Sequence, residues 1–409
     1  MTPVHQRLMP LDGLRGLAVM GILLMNVAAF ALPEAAYFNP LAYGPANVAE
    51  ITLWAVEFVL IDGKMRALFS LLFGASLLLL LERARAGGVD AERAHFRRMG
   101  WLLLFGLVHF YLVWHGDILT LYAVIGCIAW FFSEMPSGRL IRWALGLFAF
   151  QFLIYATLLP LMLEATPGSA AWQDLQESFG IPGPQSVARE IAIYRGGYVQ
   201  ILLHRLKDMG WMPFAQIFLV GAETLALMLL GMAALRSGFL AGGWSRQAYV
   251  RTALFGYGIG LPLSLLLAWT CWRSGFDARM VFAAALPLGL PARPFMLLGH
   301  VSLAMLWLVG SASPLHRRVT AAGRAAFTNY LGSSLLMTTL FYGYGLGLFG
   351  RLDRFALLAV VAATWLLMLL WSRPWLDRFA YGPLEWLWRS LARRKMQPMA
   401  KQDIARHSQ

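Results

Sequence analysis

The sequence predicts an all-α fold, a polytopic integral membrane helical bundle of about ten transmembrane helices with both termini on the cytoplasmic side. The first observation behind this is compositional: of 409 residues, 59% are hydrophobic and 13% charged, and mean hydropathy is +0.61. That leaves too little polar surface to cover a water-soluble globule. The second is length. Apolar stretches of about 20 residues recur along the chain, and that is what a helix needs to cross ~30 Å of hydrocarbon. The alternating pattern of a barrel strand is absent, so helices are the elements that satisfy the backbone in lipid. The third is the placement of arginine, which falls on alternate loops.

The spans are placed at about 14–32, 63–82, 99–115, 117–135, 141–163, 212–235, 249–271, 294–312, 325–349 and 355–372. Arg83, Arg85, Arg93, Arg97 and Arg98, then Arg139 and Arg142, then Arg236, Arg246 and Arg251, then Arg317, Arg318 and Arg324 mark the cytoplasmic loops. On the opposite side Arg273, Arg279, Arg351 and Arg354 lie near span ends, where snorkelling is cheap. Residues 1–373 form one transmembrane domain, and residues 374–409 a cytoplasmic, amphipathic, basic tail carrying YGPLEWLWRSLARRK. Residues 50–62 read as a helix lying in the interface, because Trp54 and Phe58 share a side, with a short additional crossing as the competing reading, and residues 164–211 as a cap over the outer face. The net charge of +13 belongs to this topology and not to nucleic acid, since the arginines sit in short loops between apolar spans. Cys127 and Cys271 lie in or near spans and read as small apolar fillers.

Ionisable groups inside apolar spans carry the functional information, since each costs at least ~2.5 kcal/mol at mid-membrane unless it has a partner or a cavity. His109 lies near mid-depth in LLLFGLVHFYLVWHGDIL, with Asp117 eight residues on. In a straight helix that is ~12 Å of rise and about 80° of rotation, so the two do not touch unless Gly116 breaks the helix. Asn26 shares a stripe of the first span with Arg15, roughly 16 Å away along the axis. Lys64 and Arg66 set two cations at the outer start of the second span, to hold an anion or to snorkel among headgroups. His115 lies at an outer edge. Glu223 and His300 sit at depth without a local partner and read as helix-packing groups, as does Thr328-Asn329 beside small residues. The chain has no G-x-x-x-x-G-K-[ST], H-E-x-x-H, C-x-x-C or G-x-S-x-G segment, so a bound metal and an elbow-type serine hydrolase are not expected.

The opening DGLRG resembles that of membrane acyltransferases that modify extracytoplasmic sugars, but those carry a histidine where this chain has Asn26. A closer resemblance spans nearly the whole chain: LDGLRGLAVMGILLMNVAAFALPEAAYFNP, DGKMRALFSLLFGASL, GLVHFYLVWHGDILTLYAVIG, ETLALMLLGMAALRSGFL, GRAAFTNYLGSSLLMTTLFY and GPLEWLWR. These are similar to the YeiB-type bacterial membrane family, domain of unknown function 418, whose C-terminal region would fall at about 220–395. That family is related to the lysosomal heparan glucosaminide acetyltransferases. The resemblance implies Asn26, Lys64, His109, Asp117, Asn329 and Glu385 as motif residues, and transfer of an acyl group from a coenzyme A thioester across the membrane.

The chemistry of those residues accommodates such a reaction. His109 with Asp117 offers a base, Asn26 an uncharged donor for the oxyanion, and Arg15, Arg97, Arg98, Arg324 and Asn329 a grip on acetyl-CoA or a longer acyl-CoA. Lys64, Arg66 and His115 are the candidates for the acceptor. The expected partners are the lipid bilayer and a small-molecule or glycan acceptor, with a homodimer also open and no nucleic acid, and the expected location is the bacterial inner membrane. A transporter or flippase of a small anion or lipid is the competing reading. The topology has a direct check: reporter fusions after Gly138 and Arg246 read cytoplasmic and fusions within 40–48 and 170–200 read periplasmic, and an exchange of any two adjacent loops overturns the assignment.

Overall fold

The computed structural model describes residues 8–401 apart from 46, 89, 311 and 312. Among these residues the backbone is helical nearly throughout, with one isolated bridge between Phe379 and Ala400. The first half comprises α1 (Met9–Ala31), α2 (Ala35–Phe38), α3 (Val48–Leu60), α4 (Lys64–Ala86), α5 (Ala91–Val108), a π-helical turn (His109–Val113), α6 (Leu119–Trp130) and α7 (Ser137–Leu163). Three short helices follow, α8 (Ala170–Phe179), α9 (Pro184–Tyr194) and α10 (Tyr198–Lys207). The second half is α11 (Met212–Arg236), α12 (Arg246–Arg273), α13 (Ala278–Ala285), α14 (Ala292–Gly310), α15 (Pro314–Arg324), α16 (Ala326–Phe341), α17 (Arg354–Arg378) and α18 (Pro383–Arg393).

Eight helical segments are long and apolar enough to cross a membrane, and the chain is an all-α polytopic membrane bundle. The two further spans expected, 117–135 and 325–349, hold α6 of 12 residues and α16 of 16 residues. At 1.5 Å per residue these reach ~18 and ~24 Å, short of the hydrocarbon thickness. The apolar run overstates the helix in both cases, because α6 starts only after the turn at Asp117 and α16 gives way to the glycine-rich turn after Phe341.

α1, α4 and α11 form the buried middle, with Leu14, Ala18, Ile22, Leu68, Ala75 and Met228 among their enclosed residues. α7, α12 and α17 turn large apolar side chains outward, including Leu145, Leu153, Leu254, Trp269, Leu366 and Leu370. A ring of exposed leucine and tryptophan is stable against lipid tails and not against water. Between helices in lipid, association depends on close packing instead of water exclusion. The DGLRG segment serves that purpose: a Cβ at Gly16 would overlap the Val319 carbonyl of α15, and one at Gly323 the Asp12 carbonyl of α1. Arg15 pairs with Asp12 at 2.7 Å and reaches Ser76 Oγ of α4 at 2.5 Å.

Three charges, Glu223 and Arg293 buried and Arg66 half-buried, tie α4, α11 and α14 together. Glu223, 0% exposed, accepts from Arg66 at 2.5 Å and from Arg293 Nη1 at 3.1 Å. The partners that Glu223 lacks in the local sequence lie 157 and 70 residues away. Gln151 of α7 joins the same point, donating to Leu219 O at 2.8 Å.

Two expectations change. The 50–62 segment is a helix, yet its aromatic side faces protein and not the interface: Trp54 stacks on Phe58 at 5.1 Å, meets Phe276 edge-on at 4.9 Å and donates to Phe38 O at 2.8 Å. Arg354 does not snorkel but is buried, pairing with Glu57 at 3.6 Å and donating to Ala36 O. At the other end, α17 runs through Pro374 to Arg378, so the 374–409 segment begins inside a helix; residues 402–409 of it lie outside the described residues.

Removing the central acid tests the charge network. Glu223→Ala leaves two arginines unpaired in the core and should cost on the order of 3–5 kcal/mol, seen as a large fall in the unfolding temperature of purified protein. Glu223→Gln, which retains hydrogen-bonding oxygen, should cost less.

Candidate functional site

α5 does not continue straight. It widens into the π turn at His109–Val113 and stops at Trp114, whose backbone is extended (φ −157°, ψ 134°). The chain then folds back, and Asp117 caps the next helix by accepting from Thr120 N at 2.8 Å through Oδ2. Its Oδ1 meets His109 Nδ1 at 2.9 Å. The straight-helix geometry that separates these residues is thereby cancelled.

The dyad is enclosed, each residue being 2% exposed. A carboxylate can only accept, so Nδ1 carries a proton in this contact, and in the neutral ring Nε2 presents a lone pair. That Nε2 is buried without a hydrogen-bond partner. α6 can approach this closely because of Gly106: a Cβ there would overlap Thr120 N and stand 3.0 Å from Asp117 Oδ2.

Breaking a helix strands its carbonyls, and three of them find donors here. His109 O accepts from Trp114 N at 2.8 Å, Tyr111 O from Arg205 Nη1 at 2.9 Å, and Leu112 O from the Tyr198 hydroxyl at 2.9 Å. Arg205 and Tyr198 both come from α10, so the 164–211 segment does cap this end of the bundle. Arg205 is 1% exposed. Tyr111 returns the contact, donating to Gly210 O at 2.8 Å.

Aromatic rings line the dyad. The Tyr330 ring lies 5.3 Å from the imidazole and the Trp114 indole 6.3 Å, while Trp114 itself stacks on Phe30 of α1 at 3.8 Å. Trp114 Nε1 and Thr120 Oγ1 are, like His109 Nε2, buried without a partner, and the Tyr330 hydroxyl lies beside the Ile118 backbone. Each such group ordinarily costs about 1–3 kcal/mol, so several around one histidine mark a place organised for something other than stability. Asn26 is buried one turn before Phe30 on α1, and among the described residues its amide makes no side-chain hydrogen bond.

The other end of α5 is basic. Arg98 lies over the Trp388 ring at 4.0 Å, and Trp388 Nε1 donates to Arg98 O at 3.0 Å. Arg389, Arg393 and Arg15 are near enough to act on Arg98 as like charges. The eleven residues from Arg98 to His109 put this cluster roughly 16 Å from the dyad along one helix. α18 is held there by Glu385, whose Oε1 accepts from Phe327 N at 2.7 Å and Thr328 N at 3.1 Å, and whose Oε2 accepts from Thr328 Oγ1 at 2.6 Å. It caps α16 from outside the helix.

The remaining candidates divide. Arg97 is half-buried next to Arg98, and Arg324 donates to Ala380 O at 3.4 Å beside the same basic end. Asn329 is a strut: its amide donates to Ala322 O at 3.0 Å and Ser372 Oγ at 3.2 Å and accepts from Trp371 at 2.9 Å, leaving little to offer a ligand. Arg66 is taken up by Glu223. His115 is half-buried with Nδ1 3.4 Å from the Tyr194 hydroxyl. Lys64 is buried, donating to Phe58 O at 2.6 Å, so its side chain is enclosed by protein. His300 Nε2 donates to Leu60 O at 2.8 Å, a packing role. Sequence reasoning missed Tyr330, Trp114, Thr120, Arg205, Arg389 and Arg393 as neighbours of the site. Their signal is spatial, apart from Tyr330, which adjoins the motif residue Asn329.

The role of Arg205 has a clean check. Arg205→Met keeps the buried stem but removes the bond to Tyr111 O, so stability should fall by about 1.5–3 kcal/mol. Amide exchange should speed up around 109–114 more than in α11.

Residues 234–395 match the family described as "Protein of unknown function (DUF418)". The chain is 35% identical over 396 residues to "Uncharacterized protein YeiB" of Escherichia coli (strain K12), covering 96% of this chain and 98% of that one. It is 31% identical over 418 residues to "Uncharacterized protein YxaH" of Bacillus subtilis (strain 168), covering 98% of each. No solved structure matches the chain. The chain belongs to the YeiB-like DUF418 family.

Proposed function

We propose that this member of the DUF418 family is a membrane acyltransferase of the bacterial inner membrane. In this reading it moves an acyl group, acetyl in the simplest case, from cytoplasmic acyl-coenzyme A to a hydroxyl or amine of an extracytoplasmic acceptor such as a sugar. The observation that carries the reading is the buried His109–Asp117 pair with an unpartnered Nε2, one helix length from a cluster of arginines.

His109 Nε2 takes the proton of the acceptor group as the acceptor oxygen or nitrogen attacks the thioester carbonyl. The imidazolium that forms is stabilised by Asp117 through Nδ1. The carbonyl oxygen becomes an oxyanion, for which the Asn26 amide and the Tyr330 hydroxyl are the available uncharged donors. Collapse breaks the carbon–sulfur bond, and the proton held on Nε2 passes to the departing thiolate, so that free coenzyme A leaves and histidine is neutral again. The phosphates of the donor suit guanidinium groups, and Arg98, Arg389, Arg393 and Arg15 supply them with Arg97 and Arg324 alongside. The stretch of α5 between the two sites corresponds to the extended pantetheine arm.

A transporter would use the same buried charges but needs two compartments to show activity. Protein in detergent given acetyl-CoA and an acceptor should release free thiol, and His109→Ala should lower that rate by roughly 10²–10⁴-fold while donor binding persists. Arg98→Ala should do the reverse and weaken donor binding. No coenzyme A binding by folded protein, or normal turnover in His109→Ala, overturns the reading.

A further inference from the structure

The Trp114 indole lies 6.3 Å from the His109 imidazole and 5.7 Å from the His115 ring, and His115 in turn lies 6.2 Å from the Tyr194 ring of α9. Exposure changes along this row. His109, Asp117 and Trp114 are each 2% exposed, whereas His115 and Gly116 are half-buried and Leu112 is exposed. This end of the bundle is the one away from Arg98, the extracytoplasmic side by the arginine distribution.

We infer that the Trp114 indole is a gate over the dyad, and that it turns aside to open His109 to a ligand arriving from the extracytoplasmic side. The closed position is a fitted one. The ring stacks on Phe30 of α1 at 3.8 Å with the planes 23° apart. Gly116 makes room for its benzenoid edge: a Cβ there would stand 2.2 Å from Cη2, 2.4 Å from Cζ2 and 2.6 Å from Cζ3, closer than close-packed carbons can approach.

Two features set this indole apart from one placed for packing alone. Its Nε1 is buried without a hydrogen-bond partner, although a buried indole N–H ordinarily finds one, so closure forgoes a bond that an outward position in water restores. Trp114 also follows the π turn with an extended backbone (φ −157°, ψ 134°), so its χ1 escapes the crowding that a regular helix imposes. The stack on Phe30 favours closure and the stranded N–H favours opening, two effects of similar size. Turning the side chain leaves the bond from Trp114 N to His109 O in place.

The gate stands whether or not the protein transfers acyl groups; that it admits the acceptor rests on the acyltransfer reading. The test therefore reads access and not turnover. A thiol is placed at the dyad by His109→Cys, in full-length protein in right-side-out vesicles, and a small membrane-impermeant methanethiosulfonate is added outside. Peptide mass spectrometry reads that thiol apart from Cys127 and Cys271. Thr120→Cys, at a position 2% exposed whose N–H is capped by Asp117, is the second reporter if His109→Cys does not fold. Adding Trp114→Ala should raise the labelling rate at least about tenfold, since labelling follows the open population. Gly116→Ala, which keeps the indole but occupies its seat, should raise it roughly three- to tenfold. The two together should label no faster than Trp114→Ala alone, because the methyl group acts through the indole. Thiol release from acetyl-CoA is measured separately with His109 intact, so loss of one result leaves the other standing. An unchanged rate in folded Trp114→Ala, a Gly116→Ala effect that persists without the indole, or faster labelling of the reporter in inside-out vesicles would each sink the inference.

Discussion

A helix in hydrocarbon cannot be interrupted unless other groups take over its hydrogen bonds, and the interruption of α5 is the constraint on which the rest of the site depends. The π turn and the extended Trp114 free carbonyls in the part of the protein least able to hydrate them. α10 supplies the replacements, a guanidinium and a phenol. Without that cap the chain would do better to stay helical, and His109 and Asp117 would lie ~12 Å apart in rise instead of 2.9 Å apart in contact. π-helical turns recur at functional sites for this reason, since the widened turn re-aims a side chain that a regular helix would fix elsewhere.

The charge network in the middle of the bundle answers a different demand. Arg66, Glu223 and Arg293 come from three helices, and a buried ion cluster of this kind contributes little net stability compared with apolar packing. Its value lies in register. Only one mutual placement of α4, α11 and α14 brings both guanidiniums onto one carboxylate, whereas leucine faces tolerate sliding. That same register sets Arg293 and Lys64 around a small cavity at the outer end, so the network that fixes the fold also fixes the polarity there.

The C-terminal segment is part of the bundle. Glu385 satisfies two backbone N–H groups at the start of α16, and Trp388 both stacks under Arg98 and donates to its carbonyl. α18 thereby brings Arg389 and Arg393 to the basic end of α5.

The sequence by itself determined that the protein is a helical membrane bundle and that one end of it is rich in arginine, and it singled out His109, Asp117, Asn26 and Lys64 as ionisable or polar groups within apolar runs. Each follows from transfer free energy, which depends on local composition: an apolar run of span length or a lone ionisable group within one is visible without knowing its neighbours. Tertiary structure decided everything that depends on distance. It cut two apolar runs to short helices, folded Trp54 and Phe58 inward, consumed Asn329 and Arg66 in packing, and joined His109 to Asp117 through a break held open by residues about 90 positions away. Hydrogen bonds and ion pairs act over about 3 Å whatever the separation in sequence, and no local pattern reports which distant carbonyl an arginine will reach.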